Sequence, residues 1–111
     1  MKKNIFIPLL LFCCLQVNSQ DYLKIATDCF EKGDYECAKR NYTIFQNFDG
    51  RDMTDQIKKA DECMRVLNIA DNYFQEEDWA KAKDRYQYLL ERNPKDAHAK
   101  KQAALCEEKL K

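Results

Sequence analysis

A chain of 111 residues whose 19 basic and 19 acidic side chains are interleaved throughout carries no basic stripe for nucleic acid. With two Gly, two Pro and a single His, it lacks a glycine-rich phosphate loop and any histidine cluster for a metal or for acid–base chemistry. The composition favours helix, and a domain this small buries only about 60% of its unfolded surface, so its stability is modest.

Residues 1–19 read as a secretory signal. Lys2 and Lys3 give a basic start, residues 5–15 are apolar apart from Pro8 as a breaker, and Val17-Asn18-Ser19 supplies the exit ahead of Gln20. The apolar run is shorter than the ~20 residues a membrane span needs. A retained anchor or a buried helix is the other reading, and the polar sequence that follows at once argues against it. Cleavage near Ser19/Gln20 predicts an exported protein of the periplasm or cell envelope, with residues 20–111 as one helical domain. Cys13 and Cys14 offer a second route, lipidation after cleavage, and with it the one expected means of membrane attachment; Phe12 stands where a small residue usually precedes such a cysteine.

In the first mature segment Tyr22, Ile25, Ala26 and Cys29 share one helical face, with Leu23 and Phe30 on another. Gly33-Asp34 ends that helix and caps the next, which covers 35–48 with Tyr35, Ala38, Tyr42 and Phe45 at spacings of three and four. A turn at Asp49-Gly50-Arg51-Asp52 precedes a long helix over 54–76, capped by Thr54 or Asp55. It carries two apolar stripes, Ile57, Ala60, Met64, Leu67 and Phe74 on one and Cys63, Val66, Ala70 and Tyr73 on the other, and so should be central. Asp78 caps a fourth helix over 79–92 that presents Trp79, Ala82, Tyr86 and Leu89 and is stopped by Asn93-Pro94. Residues 94–111 are polar on most faces, with Ala97, Ala104, Leu105 and Cys106 as the small or apolar exceptions, and read as a terminal capping helix.

Four cysteines follow the signal, none in a Cys-x-x-Cys pair. Export would permit disulfides, and four thiols allow three complete pairings. The turn near Gly33 brings Cys29 to Cys37, while the turn near Gly50 brings Cys63 back toward Cys37. A bond from Cys37 to Cys63 or Cys29 is therefore expected; Cys106 has no evident mate, and free cysteine is commonly a small buried apolar residue.

Residues 30–45 and 74–89 repeat one phrase: an aromatic, Asp-aromatic, Ala three residues on, Tyr four further and a large apolar three beyond. The phrase resembles the tetratricopeptide repeat, with Ala70, Tyr73, Asp78-Trp79, Ala82, Tyr86, Leu89 and Asn93-Pro94 in one copy (63–96) and Ala26, Gly33-Asp34-Tyr35, Ala38 and Tyr42 in the other (19–52). The resemblance implies an all-α fold of antiparallel helix hairpins, two repeats plus a C-terminal cap over 97–111. The chain departs from it in spacing. Ala38 and Ala82 stand 44 residues apart, against a family period of 34, and the extra residues at 49–58 lengthen the third helix.

The resemblance also implies a binding surface on the first helices of the repeats. It would be lined by Leu23, Thr27 and Phe30, then Met64, Leu67, Asp71 and Phe74, then Lys101 and Leu105. The competing reading makes Phe30, Leu67 and Phe74 core. Leu23, Thr27 and Asn68 stand where some of these repeats clamp a terminal carboxylate with Lys and Asn, so that clamp is not expected. No catalytic, cofactor or metal site emerges: His98 has only Ala97, Ala99 and Lys100 beside it and reads as solvated, and Glu76-Glu77-Asp78 reads as capping at a helix end. The expected function is a non-catalytic protein-binding or scaffold module of the bacterial cell envelope that docks a peptide or protein segment. The alternatives are a docking or regulatory fragment of a larger enzyme, or a self-associating module that buries its apolar face in a homodimer.

Overall fold

The computed structural model describes residues 18–111, so Cys13, Cys14 and all but the last two residues of the expected signal lie outside it. Five helices follow in order: α1 (Ser19–Lys32), α2 (Tyr35–Asp49), α3 (Thr54–Gln75), α4 (Trp79–Arg92) and α5 (Ala97–Leu110). Each packs antiparallel on the next. Among the described residues no helix is long and apolar enough to cross a membrane.

Short polar side chains start four of the helices. Asn18, Asp34, Asp78 and Asp96 accept backbone N–H groups in the first turns of α1, α2, α4 and α5. At the end of α1, Gly33 takes φ 87°, and the Gly33 and Asp34 amides donate to the Phe30 and Cys29 carbonyls. The end of α3 makes the same pair of bonds, from Glu77 to Phe74 and from Asp78 to Tyr73, but with Glu77 in the left-handed region at φ 61°. The last helix begins at Ala97, three residues beyond Pro94, because Asp96 is its cap.

The core is in two parts that share α3. Ala26, Ala38, Tyr42, Phe45, Met53 and Ala60 form the first, around the N-terminal half of α3. Cys63, Ala70, Ala82, Tyr86, Leu89, Ala99 and Cys106 form the second, around its C-terminal half, with Tyr35 reaching into it from α2. The polar contacts give the register. Lys39 of α2 meets Asp61 at 2.9 Å, and Arg92 of α4 meets Glu62 at 3.0 Å, so the start of α2 and the end of α4 reach the same level of α3. The central helix is therefore gripped from two sides, as its two stripes require, but at successive levels. Its 22 residues span about 33 Å, long enough for both grips.

This register sets the end of α1 against the start of α5. Asn93 Nδ2 donates to the Phe30 carbonyl at 2.6 Å and to the Tyr35 hydroxyl at 3.1 Å. Tyr35 in turn donates to Asp96 at 2.6 Å, and Lys95 pairs with Glu31 at 2.8 Å. Asp96 is 1% exposed, and a Cβ on Gly33 would lie 2.8 Å from its Oδ1. Gly33 is thus required twice, for its backbone angle and for its lack of a side chain.

A paired substitution isolates that contact. Gly50 has a similar φ of 81° but nothing within 4 Å of an added Cβ. Gly50→Ala should cost about 1 kcal/mol, the left-handed backbone alone. Gly33→Ala should cost about 2–4 kcal/mol, because it also displaces Asp96. Urea unfolding of both variants measures the difference, and equal costs would mean that the junction contributes little.

Candidate functional site

A depression lies between α2 and α3. Glu36, Lys39, Arg40, Thr43 and Ile44 line it from one face of α2, at i, i+3, i+4, i+7 and i+8, and Met64 faces them from α3; its volume is about 430 Å³. Ile44 and Met64 are half-buried and supply its apolar part. Its charged border is partly fixed in place. Asp61 accepts from Lys39 at 2.9 Å and from Arg65 at 3.3 Å, and the Lys39 hydrogen bond, with these two positive charges, holds its carboxyl below the usual range. A surface of this kind can seat apolar side chains and orient their flanks by charge.

A smaller depression of about 100 Å³ is lined by Phe30, Tyr42, Gln56 and Lys59, with the Lys59 ammonium 5.2 Å from the centre of the Phe30 ring. Phe30 and Met64, both expected on one binding face, thus line different depressions. The other expected residues are distributed further. Leu23 is half-buried against the first core, and the exposed Thr27 donates its hydroxyl to the Leu23 carbonyl of its own helix. Leu67 and Phe74 are half-buried against the second core, and Phe74 lies edge-on to both Trp79 and Tyr86. Lys101 and Leu105 are exposed on α5.

Asp71 has a role that its sequence neighbours do not announce. Its Oδ1 accepts the Tyr86 hydroxyl and lies 2.9 Å from His98 Nε2, and the His98 ring stands edge-on to Tyr86 at 5.9 Å. The expectation that His98 has no partner is therefore corrected: the partner lies 27 residues away, on α3. Burial first, and then the Asp71 carboxylate, push the Tyr86 hydroxyl well above its ordinary value. A second cluster joins Glu62 to Tyr88 and Arg92, with the Arg92 guanidinium 3.3 Å from the centre of the Tyr88 ring. Both clusters tie α4 or α5 to α3. Asp78 caps α4 through the Lys81 amide, as its position predicts.

Cys37 is bonded to Cys29 across the α1–α2 turn, which resolves the choice left by sequence, while Cys63 and Cys106 are free thiols in the second core. Burial first, and then the nearby Glu62 charge, raise the Cys63 thiol to about 11. Cys29, Cys37 and Asp34 bring their ligand atoms within 4.8 Å of one another, but both sulfurs are consumed by the disulfide. No family model matches the chain, and no curated protein or solved structure matches it.

Two measurements test this site. Cys63 and Cys106 should resist a thiol reagent in the native protein at pH 8 and react fully in denaturant; fast reaction of the native protein would contradict their burial. Tyr35 and Tyr86 have folded values raised above the ordinary 10.0. Their contribution to stability is fully present below pH 10 and is lost as pH rises toward the folded values. Urea midpoints should therefore be flat between pH 7 and pH 9 and fall above about pH 10. A midpoint that holds to higher pH would exclude the two hydroxyls as contributors.

Proposed function

We propose that the chain is an exported docking module of the tetratricopeptide type that holds a protein or peptide segment without catalysis, in the bacterial cell envelope. The observation that carries this reading is the α2–α3 groove, whose apolar residues Ile44 and Met64 are bordered by Glu36, Lys39 and Arg40. An apolar depression with charged borders suits a segment that inserts one or two apolar side chains and aligns its charges with the rim. The repeated phrase supports the repeat-type reading, as do the bounds of α1, α2 and α4, while α3 begins at Thr54, ahead of the second copy at 63–96. The proposed surface is displaced from the first-helix face to α2 and α3, since α1 and α5 meet end to end.

A second reading has an observation of its own. Phe48 is 74% exposed, stacks on Tyr22 at 6.0 Å and lies on the first helical pair, as does Ile25, which is 44% exposed. Exposed aromatics of this kind favour a self-associating module. The enzyme-fragment reading has no comparable support.

Photo-crosslinkers placed at Ile44 and at Phe48 separate the two readings. Capture of one foreign envelope protein from position 44, weakened about tenfold or more by Met64→Glu in a variant that still folds, is the expected result. Capture of a second copy from position 48 alone would replace the docking reading with self-association. Capture from neither position would remove both.

A further inference from the structure

The expected export cut and the first turn of α1 fall on the same residues. Resting on the export reading, we propose that Gln20 is a modification site: as the mature N-terminus it cyclises to pyroglutamate. Val17-Asn18-Ser19 places the cut directly before Gln20. Before cleavage, α1 begins at Ser19 and is capped by Asn18. Asn18 Oδ1 accepts the Gln20 amide at 3.1 Å, and the Asn18 amide donates to the Asp21 carboxylate at 3.2 Å. Cleavage removes both bonds together with Asn18.

What replaces the cap is an α-ammonium. It sits at the end of the helix where the aligned peptide dipoles already gather positive charge, so its sign opposes the helix. Asp21 in the first turn offsets it only in part. An α-amino group titrates near 8, so at neutral pH some of it is the free amine, a nucleophile. Gln20 is exposed, and no core packing holds its side chain away from that amine.

The reaction is internal and balanced. The α-nitrogen of Gln20 attacks its own side-chain carbonyl carbon, a new C–N bond closes a lactam ring, the bond from that carbon to the amide nitrogen breaks, and ammonia leaves. No electrons are exchanged and no co-reactant is consumed. The product is uncharged at the helix start, leaving Asp21 as the first charge α1 presents, with the favourable sign. A cut one residue earlier would expose Ser19, which has no side-chain amide and could not react in this way.

The test is intact-mass analysis with N-terminal amine labelling, on full-length chain expressed in a bacterial host and recovered after export. The expected species runs from Gln20 to Lys111, is lighter by one ammonia, and resists the label at its N-terminus. Gln20→Ala should give the same start with a free, fully labelled amine. A chain that starts at Gln20 and keeps a free amine through prolonged incubation at neutral pH would overturn the modification and leave the export reading standing. A start at any other residue, or the uncut chain, would overturn the cleavage position and the modification with it.

Discussion

A carboxylate buried where two helix ends meet governs how this chain is arranged. Asp96 is almost wholly enclosed, and a charge in that position is tolerated only if hydrogen bonds replace the water it has lost. Tyr35 donates its hydroxyl, Ala99 donates its amide, and the start of α5 adds the favourable end of a helix dipole. The Ala99 amide and the helix start are local to Asp96, whereas Tyr35 lies 61 residues away on α2, so the second carboxylate oxygen gains its donor only when the first helical pair abuts the last. A hydrogen bond to a charged group contributes about 1.5–3 kcal/mol, a large share of the stability of a domain this size. Tyr35 registers the same contact: burial and the Asp96 carboxylate raise its hydroxyl far above the ordinary value.

The length of α3 makes that meeting necessary. With the extra residues of 49–58, the two helical pairs grip α3 one above the other. Ala60 marks the lower grip and Ala70 the upper, with Cys63 near the change-over. Alanine and cysteine are small enough for neighbouring helices to approach closely, which is why all three are fully buried while the larger Leu67 and Phe74 sit half out. The surface between α2 and α3 remains open because α4 lies along a different part of the central helix.

Local chemistry was legible in the sequence, and long-range chemistry was not. The turn at Gly33-Asp34, the cap at Asp78 and the bounds of α4 follow from residues within a few positions of each other, and the structure has them where the pattern puts them. The spacing between Ala38 and Ala82 announced a longer α3, but not that α1 and α5 would meet. Nothing near Asp96 in sequence signals burial, since it reads as an ordinary polar residue after Asn93-Pro94. His98 is exposed, as its sequence neighbours suggest, but its partner Asp71 is not legible because it approaches only through packing. For the candidate site, the aromatic and apolar positions were identifiable, but half-burial is decided by neighbours on other helices. Met64 is the one expected surface residue that lines the larger groove, while Glu36, Lys39, Arg40, Thr43 and Ile44 lie on α2, outside the first-helix face that the resemblance implies.

The Cys29–Cys37 bond closes a loop only eight residues long, between the last turn of one helix and the first turn of the next. In the chain-entropy view so short a loop restricts the unfolded chain less than a long one would. The constraint falls on the turn that carries Gly33 to Asp96, so the covalent staple and the buried carboxylate act on the same corner of the molecule. The second core, where Cys63 and Cys106 are free thiols, has no such staple among the described residues.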